Sequence, residues 1–449
     1  KFKPTVTTDD TGNIVVLQTT YSGSNQQYIH NESTSGNFSN VIFNRLQIGD
    51  GTYNTASIRL SSANTAPLNV YNKFTISSGC TFDHNYQASP LYIDKFVNNG
   101  TYTKTSTANM FYMIDGDGTA ANGSISGTSD PSFGNLDIGS GSAVTVTLGR
   151  AINVDSLDIA ANGILSASGN AITVSGSWTN AGTFTHGNNT VTFDAGATGN
   201  TITSGTSSPF YNLIFNNASG GWTLQDTLAV ANDLTVTNSE TAGDGVNLNG
   251  KAVNVTGDVA INGGEVTAGA STITVGGNWD HSGGTFTYGT STLVLTGATP
   301  SLNTGNYTKR LYNLTCTTAG QTVTFSNNAS INGTLTVGSA SGDKVTLNGS
   351  KYMYFYGTTN PISFNRAHDV GYNITANPVQ YYMSGNAPLS SGTYGTLNIV
   401  PNGAYTITMQ EAVTVTNSLT IYDNSFSGSP AILDTGGYDL TVNGSLYVG

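Results

Sequence analysis

The chain has 449 residues, of which only 9% are charged, and its 14 Lys and Arg against 26 Asp and Glu give a formal net charge of -12. An ordinary soluble domain carries roughly 25% charged residues. So few cations argue against binding nucleic acid, which needs Lys and Arg to neutralise phosphates, and against docking on an anionic membrane. The polar surface must instead be built from Thr, Ser, Asn and 55 glycines, a composition common outside cells. No apolar run approaches the roughly 20 residues that span a membrane.

From the N-terminus, KFKPTV shows no apolar leader, which a secreted chain would also lack after processing, so its absence decides nothing. Residues 1–40 read as a cap or an exchanged strand. Within them NIVVLQTT at 13–20 is predicted as a strand whose Ile14, Val15, Val16 and Leu17 either cover the first coil or pair with a neighbouring molecule.

Residues 41–449 carry one recurring phrase: FNRLQI at 43–48, FGNLDI at 133–138, YNLIF at 211–215, YNLTC at 312–316 and YGTLNI at 394–399. Four copies are followed by a second short apolar strand, at 157–159, 234–236, 335–337 and 419–421, offset by 21, 21, 21 and 22 residues. A period near 20 built from alternating strand residues predicts a solenoid, each coil burying its apolar face against its neighbours. The fold expected is all-β: a single-stranded parallel β-helix, or β-solenoid, with about three short strands per coil of about 20 residues. Leu234, Val253, Ile273 and Leu293 are expected to begin equivalent faces, with Gly after Asn or Asp turning the corners. Almost no helix is expected.

A longer repeat is superposed, because GSWTNAGTFTHG at 176–187 matches GNWDHSGGTFTYG at 277–289 and the two blocks run on at an offset of 101. Trp178 and Trp279 correspond and are expected in the core. Trp222 aligns with Val323, and its lack of an aromatic counterpart makes it a candidate surface contact. Residues 351–393 read as an irregular, tyrosine-rich excursion. On an extended KYMYFYG, Met353 and Phe355 would face inward and Tyr352, Tyr354 and Tyr356 outward, a ladder suited to stacking on sugars or to a protein contact. Tyr372, Tyr381 and Tyr382 are expected to enlarge it. The last strands end on Leu440, Val442, Leu446 and Val448 with no polar cap in view, an edge able to pair with a partner.

Chemistry-bearing residues are sparse. Cys80 and Cys316 are the only cysteines, and Cys316 should be a buried free thiol, since a straight solenoid keeps the two far apart. The histidines, among them His84, His186 and His281, read as surface turn residues, and no carboxylate motif stands out at rung spacing. Asp115 and Asp117 on a Gly turn are a weak calcium candidate; no other cofactor is expected. Sequons at Asn31, Asn37, Asn99, Asn122, Asn188, Asn217, Asn306, Asn328, Asn332, Asn348, Asn373 and Asn443 are candidate glycosylation sites. Asn254 and Asn313 also begin sequons but lie in strands.

Over about residues 40–449 the GTFT, YNL and LTV phrases resemble the parallel β-helix repeats of large bacterial and archaeal cell-surface proteins and adhesins. That resemblance implies an extracellular stalk, fibre, sheath or binding module without catalysis. The expected function is a structural or adhesive solenoid at the cell surface, self-associating or contacting neighbouring surface proteins. The alternative is a carbohydrate-binding surface module using the tyrosines on polysaccharide, with a polysaccharide-active enzyme third.

Overall fold

The computed structural model describes residues 5–9, 12–17, 27–29, 42–49, 57–60, 67–84, 90–104, 109–115, 122–205, 207–338, 345–357, 362–364, 378–382, 385–401, 403–422 and 430–449. The chain forms two compact units, Lys1–Ile214 and Phe215–Gly449. Each is a single-stranded parallel β-solenoid, and no helix occurs among the described residues.

In the first unit the strand Gly12–Leu17 lies between two others. It pairs antiparallel with Thr5–Asp9 and parallel with Ile42–Ile48, in the register Ile14↔Arg45 to Leu17↔Ile48. The hairpin thus gives the first coil's edge a partner within the same chain. Parallel stacking then runs from Ile42–Ile48 to Leu68–Ile76 and Leu91–Asn98, with bulges at Phe43/Arg45 and Val70/Lys73. These long strands turn a corner without breaking, which is what bulges permit.

The repeat distances translate into rung contacts. Leu136 stacks on Leu157 and Leu157 on Trp178; in the second unit Leu314 stacks on Leu335 and Leu397 on Leu419. The recurring phrase and the strand that follows it are therefore successive rungs of one face. Inward positions are filled by Leu, Val, Ile and Phe, almost all of them buried, as alternation demands. Glycine marks corners where coils nearly touch: a Cβ on Gly163 would sit 2.1 Å from the Ile138 carbonyl oxygen, and one on Gly297 would sit 2.0 Å from that of Gly276.

One equivalence differs from expectation. Val253, Ile273 and Leu293 do stack, but Val253 continues onto Leu228, while Leu234 stacks on Val259. The segment between Leu234–Asn238 and Val246–Asn247 adds residues to that coil, so a spacing of 19 from Leu234 to Val253 joins different faces. Three faces per coil are confirmed by the parallel columns Val246–Val266–Phe286, Val253–Ile273–Leu293 and Val259–Trp279–Leu302.

The longer repeat reproduces its packing in both units. Trp178 meets Phe184 edge to face at 5.0 Å and 82°, and Trp279 meets Phe286 at 5.1 Å and 77°. Both tryptophans are buried.

Candidate functional site

The tyrosine segment lies in the second unit, on the column formed by Arg310–Leu311, Ala329–Ile331, Met353–Phe355 and Val379–Tyr381. Met353 and Phe355 are buried, so their neighbours are forced outward. Tyr352 is 38% exposed and stacks on Tyr354 with ring centroids 5.7 Å apart and planes 19° from parallel. One outward row reads Arg310, Ser330, Tyr354 and Gln380. Ser330 is small and buried, and its Oγ donates to the Tyr307 carbonyl at 2.6 Å. Tyr307, 54% exposed, thereby folds across the gap and brings its ring to 6.1 Å from Tyr354. Burial, and then the neighbouring Tyr352, Tyr356 and Tyr307, push the Tyr354 hydroxyl above its usual range.

Beside this row, the Arg310 guanidinium covers Tyr356 at 4.0 Å and donates through Nη1 to Asn332 Oδ1 at 3.3 Å. Asn332 Nδ2 donates onward to the Tyr288 hydroxyl at 2.7 Å, and Tyr288 lies near-parallel to Tyr312 at 6.5 Å. Tyr382 meets Tyr356 edge to face at 5.6 Å. The result is a polar-aromatic surface several rungs long, fixed to a rigid sheet.

Two expected members do not belong to it. Tyr381 is fully buried, because it shares the inward column of Phe355. Trp222 is 1% exposed and packs on Phe215 at 5.1 Å; its position faces inward in both repeats, filled by Trp in one and by the buried Val323 in the other. Tyr372 lies outside the described residues. The sequence reading passed over Tyr307, Tyr288, Tyr312 and Arg310, which join only through contacts one or more coils away. The Lys309–Arg310 pair, the only adjacent cations of the chain, was the available signal.

The histidines also need correction. His281 is fully buried, and its Nδ1 accepts the Trp279 indole N–H at 2.6 Å. Burial, with the nearby Lys309 ammonium, holds its pKa down at about 4. Lys309 Nζ donates to the carbonyls of His281, Ser282 and Gly284 at 3.2, 2.6 and 2.7 Å, tying down that turn. His84 is buried too, with Nδ1 2.7 Å from the Tyr102 hydroxyl. His186 remains at a turn, where its Nδ1 accepts the Asn188 N–H at 2.8 Å.

In the first unit a carboxylate pair at rung spacing was overlooked. Tyr92, Tyr112, Asp137, Asp158 and Thr179 succeed one another along an outward row. Tyr92 and Tyr112 stack at 4.6 Å and 7°. Burial, and then the Asp158 charge, raise the Asp137 carboxyl to about 6 against one backbone hydrogen bond from Ser140; Asp158 is raised by burial. The repeated LDI at 136–138 and 157–159 was the signal.

Asp115 lies at the end of its segment, where its N–H donates to Ser142 Oγ at 3.2 Å, and Asp117 lies outside the described residues. Among the described residues no group of three or more His, Cys, Asp or Glu could hold a metal. Cys80 and Cys316 are buried and not joined by a disulfide, and burial lifts the Cys316 thiol to about 12. Of the sequons, Asn122, Asn188, Asn306, Asn348 and Asn443 are exposed, while Asn99, Asn217, Asn328 and Asn332 are half-buried. Asn254 is exposed and Asn313 half-buried; Asn31, Asn37 and Asn373 lie outside the described residues. The strands Leu440–Val442 and Ser445–Val448 stack on Val413–Ile421, with Leu446 and Val448 56% and 72% exposed.

No protein-family model matches the chain, and neither a curated protein nor a solved structure matches it. The architecture is a parallel β-solenoid, consistent with known β-solenoid repeats.

Proposed function

We propose that the protein is an extracellular, non-catalytic β-solenoid that serves as a rigid adhesive or structural element of a cell surface and holds polysaccharide on its tyrosine face. The observation that carries this reading is the stacked pair Tyr352 and Tyr354 with Tyr307 beside it, partly exposed on a parallel sheet paired on both sides. Tyrosine offers a sugar ring an apolar face and a hydroxyl to hydrogen-bond, at small conformational cost. Preorganisation on a sheet lowers the ordering penalty of binding. The hairpin of Thr5–Asp9 and Gly12–Leu17, seated on Ile42–Ile48, favours a covering role for the N-terminal segment over strand exchange.

The test is affinity electrophoresis through gels containing soluble polysaccharides. The wild-type protein should be retarded by at least one polymer, and Tyr352→Ala combined with Tyr354→Ala should abolish retardation while circular dichroism stays unchanged. Equal retardation of the variant would refute the assignment of the face.

A further inference from the structure

We propose that the polymer held on the tyrosine face is acidic, a polysaccharide bearing uronate carboxylates, and that Arg310 reads the charge. This rests on the polysaccharide reading above and specifies its ligand. The first support is the distribution of charge. Residues 281–410, which carry the whole face, contain five Lys and Arg against two Asp and Glu, whereas the rest of the chain contains nine against twenty-four. In a strongly acidic protein the segment around the tyrosines thus has a net charge of about +3, while residues 33–114, with five Lys and Arg against three Asp and Glu, are another net-positive stretch.

The second support is the state of Arg310. No carboxylate lies within ion-pair distance of it among the described residues. Its guanidinium instead sits over the Tyr356 ring at 4.0 Å and is tied to Asn332 Oδ1. Asn332 is fixed in turn by Tyr288, leaving other guanidinium N–H groups to donate. A planar, oriented fork suits a carboxylate, which it can take bidentately. The backbones of Arg310 and Tyr354 lie two rungs apart in one row, roughly 10 Å, and the Arg310 side chain spans that distance to place its guanidinium over Tyr356, two residues from Tyr354. A sugar stacked near Tyr354 can therefore present its own carboxylate, or that of an adjoining unit, to Arg310. The adjacent Lys309 is committed to three backbone carbonyls, so it adds field without competing for the ligand.

The experiment compares polygalacturonate with the same polymer methyl-esterified, which keeps the sugar and removes the charge. Retardation in affinity gels and microcalorimetry are measured for the wild type, Arg310→Gln and Arg310→Lys, with unfolding midpoints recorded as a check on folding. The wild type should prefer the acidic form by about tenfold, the worth of one charge-assisted pair. That preference should shrink as ionic strength rises. Arg310→Gln should bring the ratio close to one, and Arg310→Lys should restore part of it. Equal binding of the two polymers by the wild type, or a ratio unchanged in Arg310→Gln, overturns the inference and leaves the polysaccharide reading standing. Binding of neither polymer overturns the inference, and the polysaccharide reading falls with it only if no other soluble polysaccharide retards the protein. Single-stranded poly(dT), run in parallel, overturns it if held more tightly than polygalacturonate, since phosphate would then be the anion recognised.

Discussion

Lowering the pH from 7 to 4 should loosen the second unit around His281. Indole N–H can only donate, so the bond from Trp279 makes His281 Nδ1 an acceptor and places the imidazole proton on Nε2. Nε2 is buried without a hydrogen-bond partner. A second proton must displace the Trp279 bond and put a charge into the core beside the Lys309 ammonium. The folded pKa of about 4 lies below the ordinary 6.5, so between these values the unfolded chain takes up a proton that the folded chain refuses. Stability is therefore complete above about 6.5, declines as the pH falls, and is lower by about 3 kcal/mol once the pH is below the folded value. Guanidinium unfolding, read by tryptophan fluorescence at pH 7.5 and 4, measures the loss. Because long repeat arrays can depart from two-state behaviour, hydrogen exchange of the 277–287 segment should be followed as well. In His281→Gln, which keeps an acceptor but does not titrate, the pH-dependent part should fall by that amount. An identical acid response in wild type and variant would refute the reasoning.

The first unit should contain the opposite response. Asp137 is raised to about 6, so its contribution is present at low pH and is lost as the pH climbs from about 4 through 6. Discounted for solvent near Asp158, Asp137→Asn should stabilise the protein by about 1–2 kcal/mol at pH 7 and much less at pH 4, by denaturant midpoint. Trp222→Ala should destabilise by about 3–5 kcal/mol, as for a core aromatic, and leave polysaccharide retention intact; loss of retention without unfolding would restore a surface role. Gly163→Ala forces a Cβ against the Ile138 carbonyl and should cost about 1–3 kcal/mol, seen as a lower thermal midpoint. Cys316 should resist thiol reagents at pH 8 until the chain is unfolded.

What the sequence made legible was whatever repeats along the chain. The 21- and 22-residue offsets became rung contacts at Leu136–Leu157, Leu314–Leu335 and Leu397–Leu419, because period and stacking express the same geometry. The inward Met353 and Phe355, and hence the outward tyrosines, followed from alternation alone. Polar residues near the core were harder to place. His281 follows Trp279 in a short WDH segment, where two residues of alternation put its ring inside, yet histidine composition suggested a turn. Trp222 has no aromatic counterpart in the repeat, which suggests a surface place, whereas its alternation with Leu224 points inward, and alternation wins. Partners separated by whole coils, such as Tyr307 on Tyr354 or Asn332 on Tyr288 across 44 residues, left no local trace.

The same geometry explains how such a chain acquires a site. In a globular fold a binding surface gathers side chains from unrelated segments, whereas in a solenoid an outward position recurs every coil and its occupants stand in a row about 4.8 Å apart. Two substitutions in consecutive coils then make a pair, as with Asp137 and Asp158, or Tyr92 and Tyr112. A handful makes a surface long enough to follow a polymer, as with the tyrosines from 288 to 382. Because the inward residues carry the stability, outward rows can change with little penalty to the fold. Function should therefore be sought where an outward row departs from the Thr and Asn of its neighbours. By that criterion the tyrosine face stands out, since its outward rows carry aromatic rings and a guanidinium where neighbouring coils carry Thr and Asn.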